Sequence, residues 1–201
     1  MPYLRLEGES FSDEDWYGRD LSGESFANCS FVDVDLTESR SHGAIFEGCS
    51  FSLCRFNVSC HVGTAFVGCE FRRVNLFGAS LDGCKLAGST FIECVLRPLT
   101  VSGGQWSGVT LRGADLSGLD LTGVNLKDAD LSETDLSGAV LRSCDMSLAT
   151  LRGARLHQAD LRGAALGGVD LVNAALSETR IDLQTAIQLA EAHGAVVDFE
   201  I

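Results

Sequence analysis

A serine and a histidine twenty positions apart, eight cysteines and an excess of carboxylates are the residues of this chain that could do chemistry. Ser41 and His61 have the types of a nucleophile and its base, but the local sequence supplies no third group to orient the histidine and no oxyanion site. We interpret them as a structural polar pair, with catalysis as the alternative. Because no Gly-rich phosphate loop occurs either, we predict a protein that is not an enzyme and needs no cofactor.

The cysteines have a spacing that favours packing over ligation. They recur at a place in the sequence that otherwise holds Ala, Val, Ser or Thr, and small residues of this kind suit a narrow interior, where a free thiol packs as a small apolar group. No CxxC motif and no His/Cys grouping of zinc type is present, so we expect no metal site. The cysteines at the small place are Cys29, Cys49, Cys54, Cys69, Cys84, Cys94 and Cys144.

The carboxylates indicate a basic partner. With 28 acidic and 15 basic residues, the chain has a formal net charge of −13 and a pI near 4.6, and nucleic acid would repel it. Aspartate is also an ordinary choice where a side chain satisfies nearby backbone groups, so a purely structural reading of these acids remains open. The candidate partner-binding acidic surface is Asp115, Asp120, Asp128, Asp130, Glu133 and Asp135.

These residues are placed by a sequence repeat with a period of five residues. Every fifth residue from Leu6 to Ile181 is large and apolar, and only Ser41 and His61 break the series. An amphipathic helix repeats near 3.6 residues and a half-buried strand repeats at two, so neither explains the pattern. The last place of the unit is often glycine, which suits a tight corner. A short repeat over nearly the whole chain predicts a solenoid.

The repeat resembles a known family. Segments 114–118 (ADLSG) and 159–163 (ADLRG) resemble the A(D/N)LXX motif of pentapeptide repeat proteins, and the resemblance covers residues 6 to 181. It implies an all-β solenoid, a right-handed quadrilateral β-helix with four pentapeptides per coil and spatial neighbours at i and i+20. Residues 1–181 would then form about nine coils.

Coils of twenty residues have local consequences. Ser41 and His61 would stack and could hydrogen-bond each other, and Asp115 and Asp135 would stack with like charges opposed. A column of Cys29, Cys49 and Cys69 would come within disulfide reach, although reduced thiols are the better interpretation. Pro98 cannot donate a ladder hydrogen bond, so a bend or a cis bond is expected there.

Both ends depart from the pattern. In the N-terminal coil, residues 1–28, the normally small place holds Glu9, Glu14, Arg19 and Glu24, which predicts a distorted cap. At the other end, residues 182–201, Asp182 can cap a helix that stops at Gly194, and 195–201 alternates like a strand. The apolar side of this segment predicts homodimerisation. Its candidate interface residues are Leu183, Ile187, Ala190, Val196, Val197, Phe199 and Ile201.

The segment 97–100 (RPLT) and the ending from Ile181 to Gly194 resemble the MfpA/Qnr family of fluoroquinolone-resistance proteins, in a form without loops projecting from the coils. The resemblance implies a dimeric rod that mimics duplex DNA and binds the DNA-binding saddle of the A subunit of DNA gyrase. Such a protein would inhibit gyrase, protect it from quinolone-like poisons, or both. The alternative is a scaffold or interaction rod with a partner other than a topoisomerase.

The first residues lack a basic region followed by an apolar run, and no stretch is apolar enough to cross a bilayer. We therefore expect a cytoplasmic protein that does not bind membranes.

Overall fold

The computed structural model describes residues 5–198, which form a four-sided β-solenoid followed by one helix. Each coil takes twenty residues, because backbone segments pair in parallel with the segment twenty residues later, from Leu6 opposite Phe26 to Asp160 opposite Arg180. One five-residue repeat therefore makes one side of a coil. We number the sides in chain order as faces 1 to 4. Their first central residues are Leu6, Phe11, Trp16 and Leu21.

Three of the faces carry β-strands of three residues each. Face 3 is held by isolated bridges alone, such as Asp15 with Asp35. The strands of face 1 are β1 Arg5–Glu7, β3 Ser25–Ala27, β6 Ile45–Glu47 and β9 Ala65–Val67; those of face 2 are β2 Ser10–Ser12, β4 Ser30–Val32, β7 Ser50–Ser52, β10 Glu70–Arg72 and β12 Thr90–Ile92; those of face 4 are β5 Arg40–His42, β8 Cys60–Val62, β11 Ser80–Asp82 and β13 Thr100–Ser102.

The predicted pentapeptide solenoid is confirmed, but its coils are of two kinds. Regular strands occupy about five turns and end at Ser102, and isolated bridges then continue the same register to Arg180. In the later coils each side closes in a hydrogen-bonded turn, as where Leu119 N donates to Leu116 O. Such a turn leaves one residue per side to bridge the next coil, so the expected nine coils are not all built from strands.

Corners of the solenoid require left-handed backbone. At Gly78 φ is +73°, and the turn closes as Ala79 N donates to Leu76 O at 3.0 Å. A type II turn needs positive φ at that place, which explains the frequent glycine. Several acidic residues take the same conformation, among them Asp128 and Glu133 with φ of 58° and 62°.

Large apolar side chains fill the centre of the solenoid. Phenylalanine rings stack from coil to coil, with centroids 4.8 Å apart for Phe26 and Phe46 and 4.7 Å apart for Phe31 and Phe51. Leucines replace them in the later coils, where Leu131 and Leu141 are fully buried. The core is therefore a narrow column rather than a globular centre.

The first coil is regular, and the predicted distortion of the cap is wrong. β1 pairs with β3 in the ordinary register. The charged residues at the small place stay at the open end, where no earlier described coil covers them, and two of them form an ion pair. Arg19 pairs with Glu24 at 3.1 Å and lies 3.9 Å above the Trp16 ring, whose Nε1 donates to Glu14 at 2.7 Å. Side-chain pairing, not backbone distortion, accommodates the charges.

A single helix, α1 Leu183–Ala192, ends the described solenoid as predicted. Asp182 caps it by accepting from Thr185 N at 2.9 Å, and its second oxygen accepts from Gly163 N at 2.8 Å, so one carboxylate joins helix and coil. Thr185 is buried and Leu189 packs on the core. Gly194, two residues after the end of the helix, has a φ of +83°.

The predicted terminal strand is not formed where the structure describes it. Residues 195–198 have no regular secondary structure, because no neighbouring edge among residues 5–198 pairs with them. Phe199 and Ile201 of the predicted interface lie outside the described residues. Leu183 and Val196 are 76% and 86% exposed, whereas Ile187, Ala190 and Val197 are half-buried.

The bond between Arg97 and Pro98 is cis, one of the two arrangements expected there. The register continues through it, since Leu99 is buried and β13 begins at its regular place.

Replacing a stacked ring should destabilise the column more than replacing an exposed neighbour. We expect Phe51→Ala to lower the free energy of unfolding by about 3–5 kcal/mol, because it leaves a cavity between Phe31 and Phe71. Leu53→Ala, at a residue 48% exposed, should change it by less than about 0.5 kcal/mol. Urea unfolding followed by circular dichroism measures both, and equal losses would contradict the core assignment.

Candidate protein interface

The carboxylates of the candidate acidic surface bind the backbone of their own turn. Asp115 Oδ1 accepts from Ser117 N at 3.0 Å, and Asn75 makes the same bond to Phe77 N at 3.0 Å. The turn therefore needs a side-chain oxygen but no charge. The candidate residues that do this are Asp115, Asp120, Asp130 and Asp135.

Arginines pair with half of the candidate residues. The pairs are Arg97–Asp115 at 3.1 Å, Arg155–Asp135 at 2.9 Å and Arg112–Glu133 at 2.7 Å. All three pairs lie at the surface, where water screens them and each adds little to stability. Hydrogen bonds from Ser137 and then Arg155 lower the pKa of Asp135 to about 2, so this carboxylate is charged at neutral pH.

The structure brings most of the six candidate residues together but not all of them. Asp115 and Asp135 are bridge partners on face 3, Asp130 lies on face 2, and Glu133 lies at the corner between those faces. Asp128 occupies the corner that begins face 2. Asp120 lies on face 4, which is opposite face 2, so the six do not form one surface.

Acidic residues are concentrated on two faces. Faces 2 and 3, with the corners that follow them, have about twice as many acidic as basic residues, face 1 has five acidic and three basic residues, and face 4 is balanced. On faces 2 and 3 the acids are Glu9, Asp13, Glu14, Asp15, Asp33, Asp35, Glu38, Glu70, Glu93, Asp115, Asp130, Glu133, Asp135, Asp170 and Glu178, and the bases are Arg55, Arg72, Arg73, Arg97, Arg112, Arg152 and Arg155. On face 4 the acids are Asp20, Asp82, Asp120, Asp160 and Asp182, and the bases are Arg19, Arg40, Arg142, Arg162 and Arg180.

Sequence reasoning missed four of the corner acids. Asp13, Asp33, Glu38 and Glu93 all have positive φ at places where glycine is favoured, and they extend the acidic surface toward the N-terminus. Their signal is present in the sequence, because each stands in the last place of the five-residue unit.

Ser41 and His61 form the hydrogen bond that was predicted, with 2.6 Å between Ser41 Oγ and His61 Nδ1. Thr64 Oγ1 lies 2.7 Å from Ser41 Oγ, and His61 Nε2 lies 3.0 Å from Ser59 Oγ. Ser59 donates its own proton to Phe56 O, so it accepts from His61, and we assign the ring proton to Nε2. All four polar side chains are buried, and a serine stands where a catalytic site would place an orienting carboxylate. The cluster is a closed polar network within the core.

Cysteines at the small place also bond to the coils. Cys69 Sγ lies 3.3 Å from Phe46 O, and burial raises the pKa of the Cys84 and Cys144 thiols to about 11, so these thiols are uncharged. All eight cysteines are free, and only Cys60 is exposed. Across residues 5–198, no group of three His, Cys, Asp or Glu side chains is placed to hold a metal ion.

A family model for pentapeptide repeats matches residues 63–97, 100–128, 129–168 and 144–182, in eight copies. The chain belongs to the pentapeptide repeat family. Its solenoid, the turn-capping aspartates and the left-handed corners are the structural form of that repeat.

Two solved structures of pentapeptide repeat proteins are similar to the chain, and the first shares its fold. One is a trypsin-treated variant of QnrB1, described as a plasmid-mediated fluoroquinolone resistance protein; it is 22% identical, with 98% of each chain covered and a TM-score of 0.64. Another is HetL from the cyanobacterium Nostoc, described as involved in heterocyst differentiation regulation; it is 24% identical, with 89% of this chain and 87% of that chain covered and a TM-score of 0.46. No curated protein sequence matches the chain.

Within residues 5–198, no helix is long and apolar enough to span a membrane.

The neutral, buried His61 should make stability depend on pH. Burial lowers its pKa to about 4, below the ordinary 6.5, so the unfolded chain binds a proton that the folded chain excludes. The contribution of neutral His61 to the free energy of unfolding is complete above pH 6.5 and is lost as the pH falls toward 4. Between pH 7 and pH 5 we expect His61 to lower the free energy of unfolding by about 2 kcal/mol.

His61→Gln, which cannot titrate, is the control. It should be less stable at pH 7 yet lose less stability between pH 7 and pH 5, as measured by urea unfolding. If the free energy of unfolding of the variant fell with pH as steeply as that of the natural chain, the assignment of a neutral, buried His61 would be wrong.

Proposed function

We propose that this protein is a DNA-mimicking binding protein that occupies the DNA-binding saddle of the A subunit of DNA gyrase. Bound there, it inhibits the enzyme, protects it from quinolone-like poisons, or does both. It acts by binding and not by catalysis, since the serine and histidine that could react are buried in a closed network.

One observation carries the proposal: acidic residues exceed basic ones along faces 2 and 3 over the length of the solenoid, while face 4 is balanced. A DNA-binding saddle is basic, so a one-sided acidic rod can present charge to it. Corner acids with positive φ also support an acidic binding surface, because Glu38, Glu93 and Glu133 adopt a left-handed conformation that is unfavourable for residues other than glycine.

The shape supports mimicry, but the charge density limits it. About nine coils at ~4.8 Å each give a rod of about 43 Å. Residues 5–183 hold 25 of the 28 acidic residues and all 15 basic residues, and their net charge of −10 is roughly one charge per 4.3 Å, against about one per 1.7 Å for duplex DNA. The rod has about 40% of the line charge of DNA, so the uneven distribution is needed to approach its potential.

A scaffold or interaction rod with another partner is the second candidate. The turn bonds of Asp115 and Asp135 and their arginine pairs account for both carboxylates without any partner. Removing charge alone from face 3 separates the two candidates, because only the DNA mimic should then lose inhibition of gyrase.

Asp115→Asn with Asp135→Asn removes charge and keeps the turns, because Asn75 and Asn125 already make them. In a gyrase supercoiling assay we expect the double variant to need about ten times more protein for equal inhibition, since two interface charges at about 0.7 kcal/mol each correspond to tenfold. Raising the salt concentration should reduce the difference.

Asp20→Asn with Asp145→Asn is the matched control, because both residues cap the same kind of turn on faces 4 and 1. It should inhibit like the natural chain. Equal weakening by both double variants would favour a diffuse charge effect, and no inhibition by the natural chain at tens of micromolar would favour the scaffold.

We further propose that the rod doubles its length by homodimerisation through residues 182–201. Leu183 and Val196 are exposed apolar residues at this end, and residues 195–198 are free of secondary structure. A second copy would provide the edge that this segment needs to pair.

Leu183→Asp with Val196→Asp should convert the dimer into a monomer at micromolar concentration, because association would bury four unpaired charges. Light scattering measures the mass. A monomeric mass for the natural chain would contradict dimerisation, and a dimeric mass for the variant would place the interface elsewhere.

A further inference from the structure

Phe77 lies outside the core, unlike the other phenylalanines of residues 5–198. They occupy central places of the repeat and pack in or against the core. Phe77 stands one place after the centre of its repeat on face 3, is 51% exposed, and contributes its backbone to the turn through a bond from Phe77 N to Asn75. That bond needs no aromatic side chain, so folding does not explain the ring.

Two more exposed apolar residues lie on the adjacent coils, Val58 at the corner after face 3 and Val95 on face 3, while Arg97 holds the place one coil after Phe77. Val58 N donates to Phe77 O at 2.9 Å, and Val95 is the bridge partner of Asn75. Val58 is 53% exposed and Val95 is 47% exposed. We call Val58, Phe77 and Val95 the apolar patch. Its members come from three successive coils, whereas scattered surface hydrophobics need no explanation.

Acidic pairs lie on both sides of the apolar patch along face 3. Asp15 and Asp35 bridge on one side, and Asp115 and Asp135 bridge on the other. Asp35 and Asp115 are four coils apart, which is roughly 19 Å at the spacing between paired strands. Face 3 therefore presents an acidic pair beyond each end of the apolar patch, and Arg55 and Arg97, which pair with Asp35 and Asp115, lie between the patch and these acids.

We propose that face 3 docks a protein surface in which an apolar pocket lies between two basic clusters, and that Phe77 is the anchor in that pocket. The charge pattern supports this choice of partner: carboxylates exceed arginines along faces 2 and 3, so a basic surface is attracted to them, and the exposed ring needs an apolar site. Duplex DNA has no such pocket and would be repelled. A second copy of this chain would place acids against acids, so face 3 is not a self-association surface.

The inference deepens the proposed function and rests on it, because the partner is the basic DNA-binding saddle of gyrase. Mimicry of charge increases the association rate, and this increase becomes smaller as the salt concentration rises. An anchored ring adds affinity that salt does not screen, and it lets the saddle distinguish this rod from DNA.

Binding of the natural chain to reconstituted gyrase holoenzyme, measured by surface plasmon resonance at low and high salt, tests the anchor. We expect Phe77→Ser and Val95→Ser each to weaken binding, Phe77→Ser by about tenfold, with the salt dependence unchanged. Asp115→Asn with Asp135→Asn should instead make the salt dependence shallower. Leu148→Ser is the matched control, because Leu148 is 56% exposed at the corner after face 1, and it should bind normally.

The outcomes separate the two proposals. If the natural chain binds and both Phe77→Ser and Val95→Ser bind equally well, the anchor is wrong and the proposed function stands. Weakening by Leu148→Ser as much as by Phe77→Ser also overturns the anchor. If the natural chain does not bind gyrase at all, both proposals fail. Thermal unfolding of each variant should match the natural chain, since all three replaced side chains are exposed.

Discussion

The structure depends on the parallel hydrogen-bond ladder between each segment and the one twenty residues later. Leu6 opposite Phe26 and Asp160 opposite Arg180 belong to the same register. Because side chains at equivalent places then stack along the rod, one residue type at one place becomes a column of like groups. The aromatic stack, the cysteine column and the paired aspartates all result from this single constraint.

Stacking imposes opposite requirements on the inside and the outside. Inside, an apolar column is favourable, and the polar exception at Ser41 and His61 is tolerated because Ser59 and Thr64 complete its hydrogen bonds. Outside, a column of like charges is destabilising because the charges repel one another, and arginines beside Asp115 and Asp135 offset part of this repulsion. Acidic excess that remains on faces 2 and 3 is therefore a feature that folding does not require.

The same logic separates structural from functional carboxylates. An aspartate that caps its turn can be replaced there by asparagine, as Asn75 and Asn125 demonstrate. A glutamate at a left-handed corner replaces the favoured glycine and gains no turn bond within the coil. The corner acids and the exposed ring of Phe77 are thus the residues least explained by the solenoid, and the proposed partner surface would account for them both.

The sequence by itself determined the repeat, the family resemblance, the helix capped by Asp182 and the contact of Ser41 with His61, because a fixed period and local capping chemistry specify them without long-range information. Only the tertiary structure decided that Asp120 lies away from Asp135, that arginines pair with half of the acidic surface, and that Arg19 and Glu24 close a regular first coil. It also decided that residues 195–198 form no strand, since a strand exists only where an edge is available to pair with it. Which side chains meet across coils depends on the three-dimensional register, and a linear pattern does not contain the directions of long, flexible charged side chains.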